Sequence, residues 1–160
     1  MLRLSTKGQY GVRAMVEVAR GYPAETTSIK EISARQDVSV AYLEQILSTL
    51  RRAGLITSVK GPGGGYRLSR PPAEVSIGLI LRALEGPVAI TSCMDPAEGC
   101  VRADSCVSHL LWKSLGEKIE GFLDTISLET LLAEERQLLG KRPPKERVVR
   151  RHIEKAGSPA

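Results

Sequence analysis

Residues 28–69 constrain the fold of this chain more than any other stretch. Ser28 and Glu31 have the spacing of a capping box, in which each side chain satisfies the free backbone amide of the other residue. We predict a short helix that ends near Gln36, a tight turn, and a second helix capped by Ser39. The buried face of that second helix follows the i, i+3, i+4, i+7 spacing of Leu43, Ile46, Leu47 and Leu50.

A glycine-rich hairpin comes directly after this helix pair. The segments 56–60 and 66–69 are typical of strands, and the tip between them reads Gly61-Pro62-Gly63-Gly64-Gly65. A nucleotide-binding P-loop is excluded because no Gly-Lys-Ser/Thr follows and no helix begins after the glycines. Taken alone, the segment would be a plain flexible hairpin. After two helices joined by a short turn, it indicates the wing of a winged helix-turn-helix.

Charge and surface pattern favour nucleic acid as the partner of this domain. The second helix of a helix-turn-helix enters the major groove of DNA, and Lys60 and Arg67 place positive charge on both sides of the wing tip. Residues 1–70 carry a net charge of +6, whereas residues 71–140 carry −6. The first part can therefore face a polyanion, whereas the middle of the chain cannot. The side chains that point outward on the second helix are Ala41, Glu44, Gln45, Ser48, Arg51 and Arg52.

All three cysteines of the chain and one of its two histidines lie in one polar, turn-forming stretch. Cys93, Cys100, Cys106 and His109 are spaced C-x6-C-x5-C-x2-H. Thiolates select zinc, copper(I) or iron–sulfur clusters, and imidazole suits zinc and iron. The stretch therefore predicts a metal or cluster site, although spacing alone does not separate an iron–sulfur cluster from a structural Cys3His zinc site.

Two simpler interpretations of the cysteines are weaker. Buried free cysteines behave as small hydrophobes, but three of them in one polar loop do not fit a core. A disulfide framework fits an even count in a secreted chain, and this sequence has three cysteines and no signal peptide. We expect a cytoplasmic protein without membrane association, because no apolar run is long enough for a transmembrane helix.

A long amphipathic helix is predicted from about residue 105 to residue 126. Val107, Leu111, Leu115, Ile119, Phe122 and Ile126 form one apolar stripe, with gaps of 4, 4, 4, 3 and 4 residues. A small domain has little chain left to cover such a helix. We expect it to pair with the same helix of a second copy in a two-fold dimer, mainly through Leu111, Leu115, Ile119, Phe122 and Ile126. A shorter helix should then run from Ser127 to Leu139.

These motifs together resemble the bacterial winged-helix transcription regulators of the iron–sulfur cluster regulator IscR type. The resemblance covers residues 1–130 and rests on segments 4–10, 42–45 and 59–66, the three cysteines with His109, and segments 111–112 and 121–123. It implies a homodimer with one 2Fe–2S cluster per subunit, held by Cys93, Cys100, Cys106 and His109. It also implies control of cluster assembly genes, and iron–sulfur assembly or carrier proteins as cluster donors.

DNA contacts are implied by the same resemblance. Double-stranded operator DNA would be read by Glu44 and Gln45 and held by the wing. The full set of expected contacts is Ser39, Ala41, Tyr42, Glu44, Gln45, Ser48 and Arg51 on the recognition helix, and Lys60, Gly61, Pro62, Gly63 and Gly64 in the wing.

The sequence departs from the family pattern in two places. Lys60 stands where an arginine is common, and lysine lacks the planar fork of a guanidinium. The first cysteine gap is one residue longer than usual. Relatives that sense nitric oxide share the cysteines but take a different fourth ligand, so His109 favours the histidine-ligated type.

The expected organisation is mostly α-helical and has four parts. Residues 1–86 form the winged helix-turn-helix domain, 87–105 the cluster-binding loop, 106–140 the dimerisation helices, and 141–160 a basic tail expected to be disordered. Binding of the cluster to the loop should change how the two recognition helices of the dimer are presented to DNA. No catalytic triad, paired carboxylates or nucleotide fingerprint is present, so we do not expect an enzyme or a ferredoxin-like electron carrier.

Overall fold

Six α-helices and one β-hairpin make up the part of the chain that the structure describes. A computed structural model describes residues 4–95, 100–103 and 105–140. The elements are α1 (Thr6–Arg20), α2 (Ile29–Gln36), α3 (Val40–Arg52), β1 (Ile56–Val59), β2 (Gly65–Leu68), α4 (Ile77–Glu85), α5 (Val107–Thr125) and α6 (Leu128–Gly140). The expectation of a mostly helical winged helix-turn-helix is confirmed. The basic tail predicted at 141–160 lies outside the described residues.

Serine caps fix where the helices of the first domain begin. The predicted capping box is present: the Glu31 amide donates to Ser28 Oγ at 3.3 Å, and the Ser28 amide donates to Glu31 Oε2 at 2.8 Å. Ser39 accepts the Tyr42 amide at the start of α3. These bonds satisfy amides that the first turn of a helix leaves free, and they set the entry into the recognition helix.

The core lies between α1, α3 and α4. Leu43, Ile46, Leu47 and Leu50 of α3 are all fully buried, as their spacing predicts. They meet Met15 and Val18 of α1 and Ile80 of α4 in one cluster, in which Ile32 of α2 also lies. The inward face of α1 carries Ala14, Met15, Val18 and Ala19, all buried, while Val12 and Val16 are only partly covered.

The wing is a two-stranded antiparallel hairpin with a third chain segment beside it. Ile56 pairs with Leu68 and Val59 with Gly65. Gly61 and Gly63 at the tip have φ of 99° and 72°, values that side chains with a Cβ rarely adopt. The backbones of Thr27 and Tyr66 exchange two hydrogen bonds of 2.9 Å, so the segment before α2 holds the wing in place.

The last two helices pack back onto the first domain. The Ile77 amide donates to the Ile126 carbonyl at 2.8 Å, and the Leu128 amide donates to the Val75 carbonyl at 2.9 Å. The Leu128 side chain is completely buried in the core that α1 and α4 share. Segments 1–86 and 106–140 therefore pack against each other within one chain. Across residues 4–95, 100–103 and 105–140, no helix is both long and apolar enough to cross a bilayer.

Candidate functional site

The recognition helix presents its polar side as the sequence predicts. Its inward leucines and isoleucine are anchored in the core, so the opposite face is fixed in orientation. Ser39, Ala41, Glu44, Gln45 and Arg51 are exposed, whereas Tyr42 and Ser48 are half-buried. In the wing, Lys60, Gly61, Pro62 and Gly63 are exposed and Gly64 is half-buried. The candidate DNA contacts are thus accessible or partly accessible.

Basic side chains connect the recognition helix with the wing. Arg51 Nη1 on α3 lies 3.5 Å from the hydroxyl of Ser58 on β1. Arg67 Nε on β2 donates to Thr57 Oγ1 across the hairpin at 3.4 Å. Lys60 is exposed beside the tip. Cations on the recognition helix and the wing suit contact with phosphate oxygens, whereas Glu44 adds a carboxylate that suits a base edge with a donor.

Tyr42 is held from behind by residues that the sequence analysis did not select. Its ring meets the Tyr10 ring of α1 edge to face, with centroids 6.2 Å apart. The Arg13 guanidinium carbon lies 5.2 Å from the Tyr10 ring centroid. Neither residue lies in the helix-turn-helix, and no local pattern links positions so far apart in the chain.

A second overlooked feature is Glu17, a carboxylate only 1% exposed within α1. It accepts hydrogen bonds from Arg20 at 2.6 Å, Arg35 at 3.1 Å and Gln36 at 2.5 Å. Burial acts to raise the Glu17 pKa, but the bonds from Arg35, Arg20 and Gln36 outweigh burial and hold that pKa below its usual value. A charge between Ala14 and Val18 on an apolar helix face was the available sequence signal.

The cysteine segment begins against α5. Cys93 lies in a single 3-10 turn, Ser92–Met94, and its sulfur is 3.0 Å from Thr91 Oγ1. The Val88 amide donates to Glu120 Oε1 of α5 at 2.8 Å. Gly116 of α5 faces the same segment, since a Cβ at that position would be in ordinary van der Waals contact with the Val88 carbonyl oxygen at 3.4 Å and with Met94 Cε at 3.6 Å.

The other end of the segment is the start of α5. Cys106 is the N-cap residue of this helix, and its sulfur lies 3.1 Å from Ser108 Oγ. That hydroxyl, followed by the amides of His109 and Ser108, lowers the pKa of the Cys106 thiol. His109, in the first turn, has a buried Nδ1 with no hydrogen-bond partner in the part of the chain that the structure describes. A buried imidazole nitrogen without a partner suits ligation.

The four candidate ligands share a segment but do not form a closed site. Cys93, Cys100 and Cys106 are all free and half-buried. Within the described ranges, no three side chains of the metal-ligating types converge well enough to hold an ion. The donor set itself fits a cluster or zinc: three free thiols and one orphaned imidazole lie within one short stretch.

The candidate dimerisation residues, predicted as a single stripe, differ in exposure and fall into two groups. Leu111, Leu115 and Phe122 are exposed, at 58%, 38% and 64%. Ile126 instead packs on the core of its own domain, and Ile119 lines a cavity of about 400 Å³ between α4, α5 and residues 86–90. Ile119 and Ile126 face the chain's own domain because α5 packs on α4. Val107 and Leu110 extend the exposed group, being 81% and 61% exposed.

Comparison with known proteins agrees with this architecture. Residues 4–134 match the Rrf2 family, described as iron-dependent transcriptional regulators. The chain belongs to the Rrf2 family. As an Rrf2 protein it is a DNA-binding transcriptional regulator rather than an enzyme, since its matched relatives are named as regulators.

Named Rrf2 relatives include IscR proteins. The HTH-type transcriptional regulator IscR of Aliivibrio salmonicida is 43% identical over 133 residues, which span 83% of this chain and 79% of that protein. IscR of Escherichia coli O1:K1 / APEC is 40% identical over 131 residues, spanning 82% and 80%. The resemblance seen in the sequence is thereby confirmed.

Solved Rrf2 structures superimpose on the chain. IscR of T. potens gives a TM-score of 0.74 at 36% identity, and the match covers 89% of this chain and 94% of that one. CymR, the global cysteine regulator of B. subtilis, gives 0.66 at 36% identity, with 84% and 98% covered. Rrf2 regulators named for different signals thus share this fold, so the signal must be argued from the cysteine segment.

Proposed function

We propose that this Rrf2 protein is a homodimeric regulator that senses iron–sulfur cluster status through one 2Fe–2S cluster per subunit. The ligands would be Cys93, Cys100, Cys106 and His109, and the regulated genes would include those of cluster assembly. The protein would act in the cytoplasm, with cluster assembly or carrier proteins as donors. The names of the IscR relatives support this choice of signal.

One observation carries the proposal: His109, three residues after the Cys106 thiol, has a buried Nδ1 that bonds to no group among the described residues. A histidine with a purely structural role would be expected to satisfy this nitrogen with a hydrogen bond. The lowered pKa of Cys106 favours the thiolate, which is the form that ligates iron. When bound, a 2Fe–2S cluster supplies charge and redox chemistry that respond to iron and oxidants.

The chain's own residues would transmit occupancy to DNA. The segment that leads to Cys93 is joined to α5 through the Val88–Glu120 hydrogen bond, and Cys106 and His109 lie at the start of the same helix. Holding both ends of residues 93–106 together would order this segment against α5. Since α5 docks on α4 of the DNA-binding domain, an altered position of α5 would change how the recognition helices are presented.

Dimerisation supplies the second recognition helix. Val107, Leu110, Leu111, Leu115 and Phe122 form an exposed apolar strip along α5 that nothing else in the described chain covers. Apolar patches of this kind mark interaction sites in soluble proteins. A two-fold pairing through α5 would bury the strip and set the distance between two major-groove contacts.

The test is anaerobic isolation followed by an absorption spectrum and assays for iron and acid-labile sulfide. We expect a coloured protein with two irons and two sulfides per chain, the composition of a 2Fe–2S cluster. Cys100→Ala should remove the colour and leave a folded protein, whereas Ser105→Ala, a matched change in the same segment, should keep it. A colourless protein without sulfide would contradict the proposal.

A zinc-stabilised repressor is the second candidate, since three free thiols and one imidazole also make a structural zinc set. One zinc per chain, together with unfolding of Cys100→Ala, would favour it. The same segment could instead sense nitric oxide. To distinguish the two signals, the coloured protein bound to DNA would be titrated with nitric oxide and, separately, with an oxidant, and the release of DNA would be measured in each case.

A further inference from the structure

A continuous series of side chains connects α6 with the recognition helix. Arg20 on α1 donates through Nε to Glu135 Oε2 of α6 at 3.2 Å, and its Nη2 donates to the other oxygen of that carboxylate. The same guanidinium donates through Nη1 to the buried Glu17 at 2.6 Å. An arginine that joins two carboxylates with such fork geometry fixes the position of both.

From Glu17 the series passes through α2 and returns to α1. Gln36 Nε2 donates to Glu17 Oε1, and Gln36 Oε1 accepts from Arg13 Nε at 2.6 Å. Arg13 lies over the Tyr10 ring, whose edge-to-face partner is Tyr42 on α3. The members in order are Glu135, Arg20, Glu17, Gln36, Arg13, Tyr10 and Tyr42.

We propose that Glu135 and Arg20 are positioning residues for DNA recognition, which act on Tyr42 through this series. The inference rests on the proposed DNA contact by α3. Each link is a direct contact between side chains, and the central carboxylate is almost completely buried. A change at α6 would therefore be transmitted to the members that contact one another in this series.

The series also gives α5 a route to the recognition helix. Only Ile126 and Ser127 separate α5 from α6. A displacement of α5 therefore carries α6 and Glu135 with it. Glu135 bonds to Arg20 rather than to the wing or to α3, so its effect on DNA binding would be indirect.

The experiment is a double-mutant cycle on DNA affinity. The probe is a duplex selected by the wild-type protein from random sequences. Glu135→Gln should weaken binding about threefold to tenfold, whereas Glu134→Gln, on the exposed side of the same helix, should not. The change in log Kd caused by Glu135→Gln should be less than half as large in the Arg13→Met protein as in the wild-type protein. Residues 13 and 135 share no contact, so independent sites would add.

The salt dependence separates positioning from phosphate contact. Glu135→Gln should keep the slope of log Kd against log salt, because no cation that faces DNA is lost. Equal affinities of Glu135→Gln and Glu134→Gln, or full additivity with Arg13→Met, would overturn the inference. The inference would also be overturned if Glu135→Gln lost affinity because it dissociated or unfolded, as shown by a changed molecular mass or melting temperature.

The same measurements distinguish a wrong positioning role from a wrong DNA interface. If Lys60→Ala weakens binding and Glu135→Gln does not, the interface stands and the positioning role falls. If neither variant nor Tyr42→Ala changes affinity, the interface itself is wrong, and with it the positioning role.

Discussion

The Arg82 guanidinium on α4 holds the Asp124 carboxylate on α5 through two hydrogen bonds of 3.0 and 2.7 Å. Ser76, the cap of α4, donates to the same carboxylate at 3.1 Å. The bonds from Arg82, and then from Ser76, hold the pKa of Asp124 below its usual value despite the opposing effect of burial. This contact fixes where the long helix leaves the DNA-binding domain.

Asp124→Asn tests how much this contact contributes. The side chains of Arg82 and Asp124 are 34% and 43% exposed, so solvent screening weakens their attraction. We expect the free energy of unfolding to fall by no more than about 1 kcal/mol. Urea denaturation at two salt concentrations measures it, with Glu129→Gln on α6 as the control for lost surface charge. A loss of several kcal/mol would mean that the contact is effectively desolvated.

Glu17 predicts how stability depends on pH. Its folded pKa lies below the ordinary glutamate value of 4.5, so it stabilises the fold above that value and the stabilisation is lost as pH falls through the folded pKa. Glu17→Gln should lower stability at neutral pH by about 1.5–3 kcal/mol. It should also flatten the rise in stability with pH that accompanies ionisation of Glu17, at and below the ordinary glutamate pKa of 4.5. Melting curves across this range measure both effects, with Glu134→Gln correcting for net charge. An unchanged pH profile would contradict the assignment.

Lys60 predicts the salt dependence of DNA binding. If its ammonium contacts a phosphate, Lys60→Ala should reduce the slope of log Kd against log salt by about one and weaken binding to all sequences alike. Lys113→Ala removes the same charge from α5 in the acidic half of the chain and should leave the slope unchanged. A loss of affinity confined to one operator sequence would indicate base reading instead.

Phe122 predicts the oligomeric state. It is 64% exposed on the apolar strip of α5. Phe122→Asp should therefore shift a dimer towards monomer without unfolding it, because no core contact is lost. Lys113→Asp, which introduces the same side chain on another face of α5, should remain a dimer. Sedimentation at several concentrations measures the change, and identical masses for both variants would place the pairing surface elsewhere.

The local parts of this fold follow from the sequence, whereas its long-range parts do not. The capping box at Ser28, the four buried residues of α3 and the glycine tip of the wing each depend on neighbours within a few positions, and short-range patterns encode them. The Glu17 cluster joins α1 with α2 and, through Arg20, with Glu135 of α6, and such pairings leave no periodic trace.

The same limit applies to the candidate site. Spacing identifies three cysteines and a histidine as one segment, but the contacts that attach this segment to α5, at Glu120 and Gly116, come from packing. The apolar stripe on α5 shows a further limit of sequence patterns. Periodicity identifies the apolar residues of a helix, but it does not divide them between a partner and the helix's own domain, as happens for Phe122 and Ile126.

The most direct test of the account compares DNA binding by one preparation with its cysteine segment loaded and empty. Anaerobically isolated wild-type protein, the same protein after chelation, and Cys100→Ala would be titrated against a set of selected duplexes. We predict that the loaded form differs from the other two in affinity or in the order of preferred sequences, and that the two empty forms agree. Superimposable titrations for all three would contradict the claim that this segment reports cluster status to the recognition helix.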